Sequence, residues 1–422
     1  MFDESQYPYI QAKSSGGLWA MSVITGTERP DLPDTHYIDN RIFTDESIFA
    51  REQETIFATA WLFVTHETEV ANPGDFRVCS VAGKPILLVR GEDGVLRGFY
   101  NVCRHRGAPV VRDSAGNTNG FQCFYHLWTY GLDGRCTGIA KPEGYSRVKL
   151  DKDDYPLIPV RVDVLAGLVF VCLSDETEGL EDFIGDIIEP VRAPLSDSPL
   201  RVFHYHKAAI ATNWKLWQDN NSERYHSLMH FINRKTMPWV IGKSSAMKLN
   251  IFNKGHSGYW SDGSATVDYG AGDYATVSIG TLPGMKKNEM RVINLFPDVM
   301  INIRSNVVRI DRMVPLTPGR TIVEWRGLGQ ATDDADVVAE QLRHHNMYWG
   351  PAGRNLGEDT IAVEEQWAAL NSGIMRYSII AREEELNPTD DANVRAYYQE
   401  WGKRMGSPAN APFSDSKKTA AE

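Results

Sequence analysis

The chain lacks a surplus of basic residues and lacks any long apolar run. Its 422 residues include 55 Asp and Glu against 44 Lys and Arg, which gives a formal net charge of −11 at pH 7. Binding to nucleic-acid phosphates requires the opposite balance. The most apolar stretch, residues 164–173, is much shorter than the roughly 20 residues that cross a bilayer. We therefore expect neither a nucleic-acid partner nor a membrane span.

Cysteine is also scarce, and its count is odd. Five cysteines in a chain of this length do not suit a disulfide framework. The first ten residues, MFDESQYPYI, are acidic and lack the basic start and apolar core of a secretory signal. These features predict a cytoplasmic protein whose cysteines are better suited to binding a metal than to forming disulfides.

The chain also lacks an internal repeat of 20–50 residues, which excludes solenoids and propellers. Residues 40–175 instead contain short strand-like runs separated by turns. Residues 174–182 are acidic and weakly patterned, as expected of a connector. We predict an all-β domain over residues 40–175.

The pattern changes after this connector. Asn213 is a suitable N-cap for a helix over residues 214–230. Other strand-like and helical runs follow the periods of 2 and 3.6 residues: strands at 202–211, 291–296, 299–314 and 321–328, then helices at 335–348 and 359–370. Strands followed by helices predict an α+β domain over residues 176–405, with helices on one face of an antiparallel sheet. The polar tail, residues 406–422, is expected to be mobile.

A first group of potential metal ligands lies in the predicted β domain. Cys103 and His105 form a C-x-H pair, and Cys123 and His126 form a C-x-x-H pair after 17 intervening residues. A zinc ribbon and a Cys103–Cys123 disulfide are the simpler alternatives, but zinc sites more often use C-x₂₋₄-C pairs. A [2Fe–2S] centre of the Rieske kind binds one iron through two His and the other through two Cys. Two loops with one ligand of each type favour that centre.

The residues around these ligands carry a family resemblance. The segments NVCRHRGAP (101–109) and CFYHLWTYGLDG (123–134) closely resemble the Rieske loops of aromatic-ring-hydroxylating oxygenases. Gly107 suits a tight loop, and Trp128 and Tyr130 are expected to pack over the cluster. Leu127 departs from the family, which usually has Gly after the ligand His.

A second group of potential ligands lies in the helix predicted over residues 214–230. Glu223, His226 and His230 follow one another in steps of three and four, so they share one face of a helix. Two histidines with this spacing are by themselves more often structural than metal-binding. The zinc-protease motif H-E-x-x-H is absent because Ser227 stands where the catalytic Glu is required.

A third ligand completes the facial triad of non-haem Fe(II) oxygenases, which consists of two His and one carboxylate. The turn GPAG (350–353), followed by Glu358 and Asp359, resembles the carboxylate segment of the same family. The resemblance implies that Asp359 is a metal ligand and that Glu358 is its neighbour. From composition alone, both would be ordinary acids in the first turn of a helix.

These motifs together span residues 40–370 and resemble the large (alpha) subunit of a Rieske non-haem iron oxygenase. The resemblance implies an N-terminal all-β Rieske [2Fe–2S] domain and a helix-grip-like α+β catalytic domain with one mononuclear Fe(II). Two features depart from the family pattern. Only three residues separate His226 from His230, where the family usually has four or five, and Glu223 stands where many ring dioxygenases have Asp.

The activity implied is that of a terminal oxygenase component. It uses O₂ and external electrons to monohydroxylate or dihydroxylate an aromatic acid or amine. One alternative is a Rieske monooxygenase or demethylase acting on a non-aromatic alkylsulfonate or quaternary amine. A second alternative is a non-enzymatic iron–sulfur carrier or zinc-binding module.

The electrons must come from another protein, because the chain lacks a dinucleotide fingerprint and has no cysteines for a plant-type cluster. We expect an NAD(P)H-dependent reductase, with or without a ferredoxin. The resemblance also implies a homotrimer, or an α3β3 assembly with a small beta subunit. In such a ring the electron passes between subunits through a buried acidic residue, for which Glu223 is the first candidate and Asp219 the second.

Several other residues remain candidates with less support. Asn220, Met229 and Phe231 are the expected substrate-pocket residues. His204 and His206 are expected to be ordinary strand residues, and the adjacent pair His344 and His345 to be solvated. A last group is expected to carry surface charge, with carboxylate or sulfonate binding as the functional alternative: Arg304, Arg309 and Arg312.

Overall fold

The computed structural model describes residues 26–412 except 149, 197–198, 232–234, 236–246, 261–280, 286–288, 305, 351–352 and 384. An N-terminal segment begins with strand β1 (Tyr37–Asp39) and helices α1 (Arg41–Thr44) and α2 (Glu46–Glu52), followed by a π-helical turn (Gln53–Phe57). Asp45 caps α2 by accepting from the backbone N–H groups of its first turn. None of the helices described here is long and apolar enough to cross a membrane.

The β domain follows this segment and contains two antiparallel sheets. The larger sheet has seven strands in the order β2-β11-β10-β5-β4-β3-β6, and the smaller has the order β7-β8-β9. The strands are β2 (Leu62–His66), β3 (Asp75–Val81), β4 (Lys84–Arg90), β5 (Leu96–Tyr100), β6 (Ala115–Asn117), β7 (Phe121–Gln122), β8 (Thr129–Tyr130), β9 (Cys136–Gly138), β10 (Pro159–Leu165) and β11 (Leu168–Cys172).

Strand β4 separates two hydrophobic cores. Successive side chains of a strand point to opposite faces, so Ile86 and Leu88 join the large core shared with the second domain, while Leu87 and Val89 join the core beneath the Cys/His loops. All four side chains are fully buried. The β domain thus holds its metal-binding loops on one side and the second domain on the other.

The second domain is built on another seven-stranded antiparallel sheet, in the order β12-β18-β17-β16-β15-β14-β13. Its strands are β12 (Leu200–Ile210), β13 (Lys248–Ile251), β14 (Ser257–Trp260), β15 (Met290–Leu295), β16 (Val299–Arg304), β17 (Val307–Thr317) and β18 (Arg320–Gln330). The described helices are α3 (Leu180–Ile184), α4 (Ile188–Ser196), α5 (Trp214–Ser222), α6 (Ala335–Trp349), α7 (Leu356–Asn371) and α8 (Ala392–Met405). Strand β19 (Tyr377–Ile379) pairs with β1.

The two faces of this sheet contact different parts of the molecule. Helices α5 and α6 contact strands β16–β18 on one face. The other face meets the β domain, where Arg326 pairs with Glu69 (Nε–Oε2 2.6 Å) and Arg312 Nη2 donates to Ser80 O (2.5 Å). The architecture confirms the expected α+β class, with a β domain followed by an antiparallel sheet and helices.

Two predicted elements differ from those observed. The helix expected over residues 214–230 ends at Ser222, because Glu223 adopts an extended conformation (φ −117°, ψ 163°). A short 3₁₀ turn (Tyr225–Leu228) follows it. The single strand expected at 299–314 is two strands, β16 and β17, which pair as a hairpin.

The N-terminal segment packs against the second domain, although residues 40–57 were expected to belong to the β domain. Glu52 is fully buried and accepts hydrogen bonds from Lys215 Nζ (2.7 Å), Trp214 Nε1 (2.9 Å) and Trp401 Nε1 (2.8 Å). These three donors all lie on helices α5 and α8 of the second domain. A buried carboxylate is stable only where its charge and its oxygens are satisfied, so Glu52 depends on these helices. The segment therefore anchors the chain in the second domain before the first sheet begins.

The first residues of the tail expected to be mobile, 406–412, are packed against the rest of the chain. Gly406 ends α8 in a left-handed conformation (φ 69°), and Ser407 N donates to Gly402 O (3.1 Å). Ala409 is buried, and its carbonyl accepts from Asp39 N (3.0 Å). Residues 406–412 therefore pack against the N-terminal segment, and residues 413–422 lie outside the described part of the chain.

Candidate metal centres

The two Cys/His loops of the β domain close in the same way. In the first loop, Gly107 N donates to Cys103 O (3.0 Å) and Cys103 N donates to Ala108 O (2.8 Å). In the second, Leu127 N donates to Cys123 O (3.0 Å) and Cys123 N donates to Trp128 O (2.8 Å). Each loop therefore presents its Cys from a tight, backbone-bonded turn.

These turns require a left-handed residue four positions after each Cys. Gly107 fills that position in the first loop with φ +78°, a conformation that glycine adopts without strain. Leu127 fills it in the second loop with φ +59°, and its side chain is 50% exposed. The departure from the family pattern thus places a strained leucine at the surface.

The loops bring the two imidazoles together. The ring centroids of His105 and His126 are 4.5 Å apart, and Trp128 stacks on His105 at 4.9 Å with nearly parallel planes. His105 Nε2 lies 3.1 Å from Tyr145 Oη, whereas its Nδ1 is buried with no hydrogen-bond partner in the described residues. An unsatisfied buried ring nitrogen beside a second imidazole fits a metal ligand.

The two thiols of this group are buried. Cys103 and Cys123 are both buried and free, so they do not form the alternative disulfide. Tyr130 Oη lies 3.3 Å from Cys103 Sγ and accepts from Arg104 N (3.0 Å). Burial raises the pKa of Tyr130, which keeps its hydroxyl protonated and able to donate to sulfur. Two buried thiols and two half-buried imidazoles fit a Rieske [2Fe–2S] cluster.

The second metal group combines the segment after α5 with the first turn of α7. One ligand atom from each of His226, His230 and Asp359 lies within 4.8 Å of the others. Both imidazoles point Nε2 towards the same carboxylate oxygen: Asp359 Oδ1 is 3.6 Å from His226 Nε2 and 3.4 Å from His230 Nε2. The donor set and its arrangement fit the facial triad of a mononuclear iron.

Two glutamates hold these imidazoles in place from behind. Glu223 Oε1 lies 2.6 Å from His226 Nδ1, and Glu358 Oε2 lies 2.9 Å from His230 Nδ1. Carboxylates at Nδ1 favour the tautomer that leaves Nε2 free for a metal. Burial lowers the pKa of His226, but the Glu223 hydrogen bond and charge outweigh it, so the net shift is upward. From the sequence, Glu358 was expected only as a neighbour of Asp359.

Glu223 reaches His226 although the helix between them is broken. Its carboxylate also accepts from His226 N (3.1 Å), so one side chain caps the 3₁₀ turn and orients the imidazole. Similarly, Glu358 accepts from Phe231 N (3.1 Å). The common helical face expected for Glu223, His226 and His230 is wrong, because local hydrogen bonds bring the residues together instead.

A cavity of about 650 Å³ opens beside His226. Four further candidate residues line it, namely Asp219, Asn220, Glu223 and Met229. Asn220 Nδ2 also lies 3.5 Å from Asp359 Oδ1. The Phe231 side chain is 55% exposed and is not among the residues that line this cavity.

Asp219, the second candidate for the electron bridge, contacts a tyrosine rather than a ligand histidine. Its Oδ2 accepts from Tyr398 Oη (2.6 Å). Burial raises the pKa of Asp219 to about 7, although the Tyr398 hydrogen bond and the Lys215 charge oppose the shift. This carboxyl is thus poised to carry a proton near neutral pH.

Several residues expected at the surface are buried. Arg304, Arg309 and Arg312 are 6%, 3% and 2% exposed, so the expectation of surface charge is wrong. His344 and His345 are also buried. The reason is the same in both cases: helix α6 covers the sheet face that carries Arg304 and Arg309, and the β domain covers the face that carries Arg312.

Comparisons with known proteins agree with both centres. A model of the Rieske [2Fe–2S] domain matches residues 60–150, and a model of the ring hydroxylating alpha subunit (catalytic domain) matches residues 198–407. The alpha subunit of 2-aminobenzenesulfonate 2,3-dioxygenase from Alcaligenes sp. is 36% identical over 90% of this chain and 96% of that protein. The alpha subunit of the methanesulfonate monooxygenase hydroxylase from Methylosulfonomonas methylovora is 36% identical over 91% and 95%.

Solved structures show the same fold. Naphthalene 1,2-dioxygenase from Rhodococcus sp. superposes with a TM-score of 0.77 at 21% identity, over 87% of this chain and 94% of that one. A quaternary ammonium Rieske monooxygenase superposes with a TM-score of 0.72 at 21% identity, over 89% and 99%.

A Rieske domain joined to a ring-hydroxylase catalytic domain defines an oxygenase, an oxidoreductase that hydroxylates its substrate with O₂. The chain belongs to the Rieske non-haem iron ring-hydroxylating oxygenase family, as a large (alpha) subunit. Its cofactors are one Rieske [2Fe–2S] cluster and one mononuclear iron. As a terminal oxygenase it depends on electron-transfer partners. The expected family, enzyme class and cofactors are confirmed.

Proposed function

We propose that the chain hydroxylates an organic sulfonate, with His226, His230 and Asp359 holding the iron and Cys103 and Cys123 among the cluster ligands. The observation that carries the iron site is the convergence of both Nε2 atoms on Asp359 Oδ1. His105 and His126 complete the cluster ligands: an unpartnered ring nitrogen of His105 and the edge-to-face contact between the two imidazoles support them. When bound, the two centres supply single electrons and O₂ activation.

The chain's own carboxylates position the iron ligands. Glu223 and Glu358 each fix one imidazole through Nδ1. Glu223 also lines the open cavity beside His226, whereas Glu358 is not among the residues lining it. Glu223 can therefore be reached through this cavity from outside the iron site. We propose that it connects the cluster of a partner subunit to His226. Asp219 lines the same cavity but bonds Tyr398, so it is the second choice.

We base the proposed substrate class on the positive charge of two arginines on the sheet face under α6. The guanidinium carbons of Arg304 and Arg309 lie 5.1 and 5.2 Å from the ring centroid of Trp349. The Arg309 charge is matched by Asp311, whose Oδ2 accepts from its Nη2 at 2.8 Å. Arg309 Nη2 also donates to Asn221 Oδ1 (3.2 Å), next to the iron-site residue Asn220. Trp349 thus lies between Arg304 and Arg309 on this face.

An anionic group suits this position better than a cationic one. Arginine binds sulfonate or carboxylate oxygens through two parallel N–H donors, which fixes orientation as well as charge. The names of the two relatives described above, which concern an aromatic and an alkyl sulfonate, support the same class.

Partners are proposed on the same basis. The exposed apolar side chains Phe124, Tyr125 and Leu127 lie on the second cluster loop, at 51%, 55% and 50% exposure. Such a patch is suited to contact with another protein. We propose a homotrimer, or an α3β3 assembly with a small beta subunit, in the cytoplasm. Electrons would be supplied by an NAD(P)H-dependent reductase, with or without a ferredoxin.

A single-turnover experiment tests the function without the electron partner. The metal-loaded chain is reduced chemically, mixed with ¹⁸O₂, and given 2-aminobenzenesulfonate, methanesulfonate, anthranilate or carnitine in turn. Two labelled oxygens in the product mean dioxygenation and one means monooxygenation. We expect a sulfonate to be hydroxylated, and Arg304→Gln to weaken its binding by about tenfold to a hundredfold through the loss of charge-assisted bonds.

The matched control is the neutral ring compound that lacks the sulfonate group of 2-aminobenzenesulfonate. Arg304→Gln should leave the binding of this compound unchanged. Hydroxylation of carnitine alone, or equal loss of binding for the neutral compound, would contradict the sulfonate assignment.

A further inference from the structure

A second cluster of imidazoles lies between strand β12 and helix α6. His204 and His206 are two residues apart on β12 and therefore point to the same face of the sheet. His345 faces them from helix α6 and is fully buried. The three ring centroids are 5.1, 5.1 and 5.8 Å apart, and one nitrogen from each ring lies within 4.8 Å of the others.

The ring nitrogens of this cluster have few partners. Neither Nδ1 nor Nε2 of His206 and His345 makes a hydrogen bond with the described residues, and all four atoms are buried. Buried polar atoms are nearly always satisfied in folded proteins, so four such atoms in one place indicate a missing partner. His204 lies beside Asn346 and contributes the third ring nitrogen of the cluster.

The surrounding residues make room for the three rings and orient them. Gly327 pairs with His204 across the sheet, and a Cβ at that position would lie 3.0 Å from His345 Nδ1. Glycine at this position therefore lets His345 approach the strands closely. Trp325 stacks on His206 at 4.7 Å with an interplanar angle of 15°, which restricts its rotation.

We propose that His204, His206 and His345 bind a transition-metal dication of the zinc class, at a site separate from the iron. Three imidazole nitrogens suit Zn²⁺, Cu²⁺ or Ni²⁺, whereas the iron triad includes the carboxylate of Asp359. A dication would satisfy one nitrogen of each ring at once and would link β12 to α6. The site goes beyond the oxygenase reaction and does not depend on its substrate.

The protonation state of the three rings is compatible with such a site. Burial lowers the pKa of each of them, that of His206 to about 4, so they are neutral at pH 7. Neutral imidazole is the form that binds metals. The nearby cation Arg309 carries its own counter-charge in Asp311 at 2.7 Å.

Metal analysis of the holoenzyme tests the proposal. The iron-loaded chain is incubated with Zn²⁺, freed of loosely bound metal, and its metal content measured with the visible spectrum of the Rieske cluster. We expect about one zinc per chain in addition to three irons. His206→Gln and His345→Gln should each weaken zinc binding by at least about 100-fold in a chelator competition, with iron content unchanged.

Two control variants separate this site from its neighbours. His344→Gln changes the adjacent buried histidine of α6 and should keep the zinc, which shows that the loss depends on the cluster itself. His226→Ala should lose the mononuclear iron and still bind one zinc. Zinc binding that disappears in His226→Ala, or that persists in His206→Gln and His345→Gln, would overturn the proposal.

The wild-type chain provides a measurement that does not depend on folded variants. Co²⁺ in place of Zn²⁺ should give the strong visible absorption of a site with low coordination number, on top of the cluster spectrum. Absence of both zinc and cobalt from the iron-loaded wild-type chain would also overturn the proposal and would leave water or a substrate group as the partner of these rings.

Discussion

The cluster site draws its four candidate ligands from two adjacent loops, whereas the iron site joins the irregular segment after one helix to the start of another far along the chain. In the cluster loops the backbone itself closes each turn, through paired N–H···O bonds around Cys103 and Cys123. At the iron site the backbone is irregular, and the side chains of Glu223 and Glu358 hold the imidazoles. Backbone changes should therefore perturb the first site, and carboxylate changes the second.

The largest expected effect comes from Asp359→Ala, which removes the oxygen that both Nε2 atoms face. We expect iron to fall from about three atoms per chain to the two of the cluster, with complete loss of product formation. Iron analysis and the visible cluster spectrum check this. Loss of the cluster bands as well would mean that the two sites are not independent.

The paired variants Glu223→Gln and Glu358→Gln distinguish an electron bridge from simple support of a ligand. Glu358→Gln should weaken iron binding by about 10–100-fold, as outer-shell changes do, and excess iron should restore turnover. Glu223→Gln should retain both metals in excess iron and still fail to couple NADH oxidation to product. If iron restored Glu223→Gln equally well, the bridge would lie elsewhere, and Asp219 would be the next residue to test.

A smaller effect is expected for Asp219, and it depends on pH. The pKa of Asp219 in the folded chain, about 7, lies above its ordinary value. The free energy of unfolding therefore falls as the pH rises from about 4 towards 7, because the unfolded chain ionises this carboxyl more readily than the folded chain does. Asp219→Asn removes that penalty. The variant should therefore gain melting temperature at pH 8 relative to wild type, by roughly 2–4 °C for each kcal/mol recovered, and should gain clearly less at pH 5.

Thermal unfolding of the metal-loaded chains at pH 5, 6, 7 and 8 measures the difference. Tyr398→Phe is a suitable control, because it removes the hydroxyl that donates to Asp219 and leaves the carboxyl in place. A difference between Asp219→Asn and wild type that stays constant with pH would contradict the raised pKa.

The smallest expected effect is at Leu127. Replacing this exposed, left-handed residue by glycine should relieve strain of about 1 kcal/mol, part of which is offset by the greater freedom of glycine when unfolded. The rate of cluster loss on heating should fall in Leu127→Gly. Gly107→Ala is the mirror-image control in the first loop and should lose its cluster faster. Faster loss in both variants would show that Leu127 stabilises the loop by contact.

The difference between the sites also explains which parts could be predicted. The cluster ligands are encoded at short range, so the spacing around Cys103 and Cys123 favoured a Rieske centre and the resemblance of the flanking residues to Rieske loops decided it. The iron site depends on contacts between distant segments, and only a family resemblance suggested Asp359. No local pattern indicates that Glu358 reaches His230, since that contact depends on where α7 packs.

Burial was predicted least well for charged residues. Arg304, Arg309 and His345 look like surface residues in sequence because charged and polar side chains usually are exposed. Their burial results from the long-range pairing of the strands and the packing of α6 over them. The break at Glu223 was missed for a related reason, because its side chain favours a turn through bonds to His226 rather than continuation of the helix.

The anchoring of Glu52 by Lys215, Trp214 and Trp401 has a consequence for domain exchange. With β1 paired to β19 as well, the catalytic unit contains chain from both sides of the Rieske domain. The Rieske domain is therefore an insertion with two junctions, and cutting the chain once near residue 175 would remove a buried carboxylate together with the cluster. A chimera that takes a foreign cluster domain should keep residues 26–57 as part of the catalytic unit. It should replace only the segment between residue 57 and the junction near residue 175.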